Sequence, residues 1–191
     1  MTDDGRRGER PRRLRYSVAA SLDGFIADPD GGYDWIVEEP DIDFAAYAAK
    51  IDAFVMGRGT YEITLENPEG SALFGGKRVY VVSTTLDPAE HPDVTVISED
   101  VESRVAALKA EPGGDIWLFG GGVLFRSLLE AGLVDRVEVG VVPVLLGEGI
   151  PMLAGLDPGL RAEGVGRLEL HGMERFGSGI VLLKYDVVPG R

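Results

Sequence analysis

Three short apolar runs in this chain end abruptly in glycine or hydroxyl residues, and that repeated junction limits the fold more than any other feature. Met56 leads into Gly57-Arg58-Gly59-Thr60, Val82 into Ser83-Thr84-Thr85, and Phe119 into Gly120-Gly121-Gly122. The runs themselves, at 53–56, 78–82 and 115–119, are rich in β-branched and aromatic residues and too short for helices, which predicts buried strands. Helical patterns follow the first and third junctions. Thr60 is a reasonable N-cap for a short helix reaching Leu65, and beyond Gly122 the residues Val123, Leu124, Leu128 and Leu129 fall on one face before Gly132 stops the pattern. Strands that alternate with helices imply a parallel sheet joined by right-handed crossovers.

The remaining pattern extends this sheet. A first strand is expected at 14–21, followed by a loop through Asp28-Pro29-Asp30-Gly31-Gly32. Pro40 opens a helix in which Phe44, Tyr47, Ala48 and Ile51 recur at helical spacing, with Asp41 and Asp43 in the first turn, where the helix dipole favours negative charge. Another strand is predicted at 94–97. Ser98 then caps a helix that faces Val101, Val105 and Leu108 inward and stops at Pro112-Gly113-Gly114. Strand 136–142, a loop over 143–156 and two final strands, 167–171 and 180–186, end the chain in a hairpin. The expected architecture is a mixed, mostly parallel, twisted α/β sheet flanked by helices, with an antiparallel edge. No long linker interrupts 13–191, which predicts one domain. Residues 1–12 hold no apolar side chain beyond the initiator and are expected to form a disordered tail.

Composition removes several functions. Thirty-two acidic against 19 basic residues give a net charge of -13, which repels a phosphate backbone and argues against nucleic acid as a partner. The absence of cysteine excludes thiolate catalysis and disulfides. With only two histidines, His91 and His171, both read as surface residues, no metal centre is expected. The uncharged run 139–147 contains Pro143 and falls far below the roughly 18–20 residues that cross a bilayer. The apolar run after Arg15 is likewise shorter than the roughly 7–15 residues of a secretory signal, so a cytoplasmic location is expected. Familiar nucleotide motifs also fail. Phe125 stands where the Rossmann fingerprint needs its third glycine, and 70–77 precedes a strand instead of following one.

The three junctions themselves carry the chemistry. Ligands of open α/β sheets bind at the carboxyl ends of the strands. Glycines there let a pyrophosphate approach backbone N–H groups, and helix N-termini supply positive potential. Any one junction is no more than a tight turn. All three together, with Arg58 and the hydroxyls of Ser83 and Thr84 able to take a further phosphate, favour a phosphorylated dinucleotide, and Arg58 would discriminate NADPH from NADH.

In order and spacing, these segments resemble the dihydrofolate reductase superfamily, and in detail the stand-alone relatives of the riboflavin-biosynthesis (RibD) C-terminal reductase domain. The resemblance spans about 14–185. It is carried by Ala20-Ser21-Leu22-Asp23-Gly24-Phe25-Ile26-Ala27, Met56-Gly57-Arg58-Gly59-Thr60-Tyr61-Glu62 and Phe119-Gly120-Gly121-Gly122, with Gly132-Leu133-Val134-Asp135 and Val142-Pro143-Val144-Leu145-Leu146-Gly147 downstream. It implies a dihydrofolate-reductase-like three-layer fold with a C-terminal antiparallel hairpin. It also implies NADPH held by Ala20, Ile26, Gly57, Arg58, Thr60, Ser83, Thr84, Gly120, Gly121, Gly122, Val123 and Leu124.

A cytoplasmic, commonly homodimeric enzyme is implied, passing hydride to a small pterin- or pyrimidine-like molecule. Folate reductases carry a carboxylate at the start of their first helix, which implies Asp41, with Asp43 as the neighbouring candidate; both equally suit a plain helix N-terminus. The loop after the first strand has Tyr33-Asp34-Trp35 where folate reductases have a Trp-Pro pair. Trp35 fits either a lid or the core. Two other readings stand beside the reductase: a non-catalytic NADPH-binding or sensing domain, and a reductase of a ribosylamino-pyrimidine phosphate, which needs a further anion site drawn from the few basic residues, such as Lys77 and Arg78.

Overall fold

The computed structural model describes residues 11–66, 72–155 and 166–188. Its main sheet is built from β1 (Leu14–Ser21), β3 (Ile51–Gly57), β4 (Arg78–Val82), β5 (Thr95–Ile97), β6 (Asp115–Gly120), β7 (Arg136–Val142), β9 (Leu168–Arg175) and β10 (Val181–Val187). These eight strands run in the order β5-β4-β3-β6-β1-β7-β10-β9. From β5 through β7 every pairing is parallel, and β10 runs antiparallel to both β7 and β9. The mixed sheet and its closing hairpin are therefore as expected. A separate two-stranded ribbon pairs β2 (Phe25–Ala27) with β8 (Ile150–Pro151), both of which the sequence read as loop.

Strand alternation divides the side chains between two faces. On one face Leu14, Tyr16, Val55, Ile116, Leu118 and Val137 pack beneath α3 (Val101–Ala110) and α4 (Gly122–Glu130), which contribute Val105, Leu108, Leu124, Phe125 and Leu128. Tyr16 stacks on Phe125 with ring centroids 3.9 Å apart. The other face carries Phe54, Met56, Val79, Val81 and Trp117, with Tyr61 of α2 (Arg58–Glu66) among them and Tyr47 of α1 (Phe44–Ala48) against them. A smaller cluster of Val142, Phe176 and Ile180 gathers Trp35, Ile36 and Ile42 at the β7–β10 side.

Several boundaries moved. Helix α1 does not open at Pro40 but spans only 44–48, because Asp43 caps it by accepting the Ala46 N–H at 2.7 Å; Ile51 belongs to the next strand. Thr60 is no N-cap, since α2 begins at Arg58 directly from β3, and Thr60 instead accepts the Thr64 hydroxyl at its carbonyl. Asp100 rather than Ser98 occupies the N-cap position of α3, in the left-handed conformation. Residues 1–10 of the expected tail lie outside the described residues. Arg12, placed in that tail, is instead 1% exposed: its guanidinium pairs with Asp52 and donates to the Gly114 carbonyl at 2.7 Å.

Candidate functional site

Because β4, β3, β6 and β1 are neighbours in the sheet, their carboxyl ends bring the predicted junctions into one row. Ser83 and Thr84 follow β4, Gly57 closes β3 with Arg58, Gly59 and Thr60 starting α2, Gly120 closes β6, and Ala20 is the next-to-last residue of β1. The two helices start from this row. Neither α2 nor α4 has an acidic residue in its first turn, and Gly121 at the N-cap of α4 offers no side-chain cap. No acidic side chain at either N-terminus opposes the positive potential that these helix ends offer an anionic group.

The glycines have different jobs. A Cβ on Gly120 would meet Thr60 Oγ1 at 2.8 Å, and one on Gly122 would run into the Pro151 carbonyl and lie 3.0 Å from that of Met152. Both are glycine because neighbouring chain passes there. A Cβ on Gly57 or Gly59, by contrast, would meet nothing within 4 Å, and neither residue has a left-handed backbone. Nothing in the protein's own packing requires glycine at either position. Open space over bare backbone at the row's centre is the space a dinucleotide would take, so the residues present fit that group. The Gly120–Gly121 peptide is cis.

Arg58 crosses from α2 to the turn after β4, where its Nη1 donates to Thr85 Oγ1 at 2.9 Å, and its Nε lies 3.6 Å from Glu62. Thr85, the third hydroxyl of its run, was not singled out by the sequence. Ser83 is buried and Thr84 exposed. Ala20 is buried in the core cluster with Leu124, and Ile26 of the ribbon is half-buried against it. Val123, read from the sequence on the inward face of α4, is instead 64% exposed, an apolar surface at the mouth of the row.

The ribbon β2–β8 lies against this edge and is tied down at several points. Tyr16 of β1 donates its hydroxyl to Met152 O at 3.2 Å, and Arg126 of α4 donates to Ala154 O at 3.0 Å. Asp23, missed by the sequence reading, joins two loops: it accepts the Ser21 hydroxyl at 2.7 Å and the backbone N–H groups of Gly147 at 2.7 Å and Leu146 at 3.2 Å. The Ser21 hydroxyl, then the Gly147 N–H, hold its carboxyl below the usual range.

Asp41 and Asp43 flank Ile42, which packs in the small apolar cluster with Ala19 of β1 and Val142 of β7. Their segment is anchored on the β7–β10 side by Ile42 in the small apolar cluster and by Glu39, which accepts the Ser178 N–H at 3.0 Å. Both acids are exposed, and Asp43 is engaged as the cap of α1. Trp35 is half-buried in the same cluster, and its indole N–H finds no acceptor among the described residues. Lys77 and Arg78 lie at the start of β4, the opposite edge of the sheet, where Lys77 donates to Ala48 O at 2.9 Å and Arg78 pairs with Glu111 at 2.5 Å. They supply no anion site beside the crevice. His91 lies 3.2 Å from the Tyr61 hydroxyl and His171 3.4 Å from Asp186. No three His, Asp or Glu among the described residues are placed to hold a metal ion, and no described helix is long and apolar enough to cross a membrane.

Comparison with known proteins places these features in context. The family model of the RibD C-terminal domain matches residues 12–182. The uncharacterized protein YyaP of Bacillus subtilis is 30% identical over 186 residues, covering 92% of this chain and 95% of the relative. A putative riboflavin biosynthesis protein from Shewanella sp. PV-4 has a similar fold, with a TM-score of 0.72 at 24% identity over 93% of this chain and 99% of that one. So has dihydrofolate reductase from Enterococcus faecalis, solved with NADP(H) and RAB-propyl, with a TM-score of 0.64 at 17% identity over 93% and 97% of the two chains.

Proposed function

Since this chain belongs to the RibD C-terminal domain family, we propose that it is an NADPH-dependent reductase of a small heterocyclic, pterin- or pyrimidine-like molecule. The observation that carries the reading is the row of strand ends in which Gly57 and Gly59 leave open space between the N-termini of α2 and α4, neither of which has an acidic first turn, with Arg58 beside them. The backbone N–H groups of 58–60 and 121–123 bind the pyrophosphate. Arg58 and Thr84 take the additional phosphate that distinguishes NADPH from NADH. Exposed Val123 and the ribbon residue Ile26 offer apolar surface to the nicotinamide half. When bound, the cofactor supplies the hydride, and the protein supplies position and exclusion of water.

The heterocycle then lies toward β7, where the segment carrying Trp35 and Asp41 is anchored. Asp41 is the candidate to orient the ring or pass it a proton; Asp43 is the weaker one, since its carboxylate already serves α1. The exposure of both acids favours the second reading, a domain that binds NADPH without turning it over. Asp41→Asn separates the two, because loss of turnover supports the reductase, while every assayed activity left intact supports the binding domain. The proposal includes a cytoplasmic location and a homodimer, for which exposed Leu168, Leu170 and Met173 on edge strand β9 offer an apolar surface.

Titration with NADPH and with NADH, followed by tryptophan fluorescence, tests the cofactor site. Arg58→Ala is expected to weaken NADPH by about tenfold or more, toward the NADH value, as a charge-assisted phosphate contact requires. Binding of neither nucleotide would remove the reductase reading.

A further inference from the structure

The three hydroxyls that close β4 do three different things. Ser83 Oγ accepts the backbone N–H groups of Thr85 at 3.1 Å and Leu86 at 3.0 Å, so it shapes the turn. Thr84 faces solvent. Thr85 reaches the neighbouring strand's junction, where its Oγ1 accepts the Arg58 Nη1–H at 2.9 Å while standing 3.4 Å from Ser83 Oγ. Arg58 meets one more group, Glu62, a helical turn further on, with Nε 3.6 Å from Oε1; both side chains are half exposed.

A guanidinium presents five N–H donors in a planar fork. Thr85 occupies part of it from one side and Glu62 faces it from another, which leaves most of the fork for a ligand. An arginine held in advance loses less freedom on binding an anion than a free one does. A carboxylate at 3.6 Å acts in the opposite sense, since it competes for the same charge and repels an incoming phosphate. We propose that Thr85 and Glu62 are the positioning residues that set this crevice's preference for a phosphorylated over an unphosphorylated dinucleotide: Thr85 holds Arg58 across the mouth between β3 and β4, and Glu62 restrains its affinity. The inference rests on the reading of the crevice as an NADPH site. It adds that neither residue need touch the nucleotide, and that their effects have opposite signs.

The test is equilibrium binding of NADPH and NADH to the full chain, repeated with adenosine 2′,5′-bisphosphate and adenosine 5′-monophosphate to isolate the adenosine end. Thr85→Val, which keeps shape and removes the hydroxyl, is expected to weaken NADPH and the bisphosphate by about tenfold while NADH and the monophosphate are unchanged. Thr85→Ser restores binding to within about twofold, as a retained acceptor requires. Glu62→Gln tightens NADPH by about threefold at low salt, leaves NADH unchanged, and loses its effect as salt rises. NADH serves as the internal control for folding. Thr85→Val that leaves the NADPH constant unmoved, or that weakens both nucleotides equally, overturns the inference while the cofactor reading stands. A wild-type protein that binds the two nucleotides alike, or binds neither, overturns both, and that pattern is visible before any variant is made.

Discussion

Arg15 of β1 reaches diagonally to Glu138 of β7, the register partner of Ser17, near the middle of the sheet. Arg15 Nη2 lies 2.7 Å from Glu138 Oε1, and its Nη1 lies 3.3 Å from Asp115, with all three side chains at most 7% exposed. Ser17 at 2.7 Å and Tyr47 at 2.8 Å donate hydroxyls to Glu138 Oε2, and the Arg15 guanidinium sits 4.5 Å above the Tyr47 ring. Burial pushes the Tyr47 hydroxyl far up, so it stays a proton donor. Burial also works against the Glu138 charge, yet hydrogen bonds from Arg15 and Ser17 and the Arg15 charge hold that carboxyl below the usual range. A buried pair adds little over well-packed apolar residues, but deleting one partner strands the other. Glu138→Ala is therefore expected to cost about 3 kcal/mol, the lower end for a broken buried pair because Asp115 remains to Arg15. Tyr47→Phe, which removes one donor to a charged acceptor, is expected to cost about 1.5 kcal/mol. Urea denaturation measures both, and a Glu138→Ala loss smaller than that of Tyr47→Phe would mean that water reaches Arg15.

Among the elements, the ribbon β2–β8 and the two glycine classes of the crevice separate stability from binding. Gly122→Ala drives a methyl into the backbone of Pro151 and Met152 and is expected to destabilise by about 2 kcal/mol, the usual scale of overpacking, with the ribbon displaced. Gly57→Ala meets open space, so its melting temperature should stay at the wild-type value while NADPH affinity falls. Paired thermal melts and nucleotide titrations check this, and a Gly57→Ala variant that binds NADPH normally would mean that the ligand does not approach this backbone. What the sequence disclosed follows the same division. Strand β7 was read at its observed limits because 136–142 alternates strongly and is bounded by turn residues. The ribbon was illegible because β2 and β8 hold three and two residues, too few for a period, and each is a strand only through its distant partner. The row of junctions was legible because each lies within a few consecutive residues. The link from Arg58 to Thr85 was not, since it depends on β3 and β4 lying side by side.

Over the whole molecule, two electrostatic effects oppose each other as pH falls. A net charge of -13 repels itself in the compact state, and partial neutralisation of exposed acids relieves that repulsion. Against this stand the carboxyls whose values are depressed in the folded protein: Glu138 in the sheet, Asp186 beside Arg136, and exposed Glu111, Glu39 and Asp23. A depressed carboxyl contributes stability that is fully present above its unfolded value, about 3.9 for Asp and 4.3 for Glu, and lost as pH falls through the lower folded value. Repulsion is therefore relieved first, at mildly acid pH, and the paired carboxyls give way only below about pH 4. The melting temperature is expected to rise slightly from pH 7 to about 5 and then to drop steeply, with added salt raising it at pH 7 more than at pH 5. Glu138→Gln, which cannot titrate, should start lower and show a shallower acid limb. Calorimetric melts across this range decide which effect governs: a melting temperature that falls steadily from neutrality would mean that local attraction outweighs global repulsion throughout, and that the surface acids are held by their partners more firmly than they repel one another.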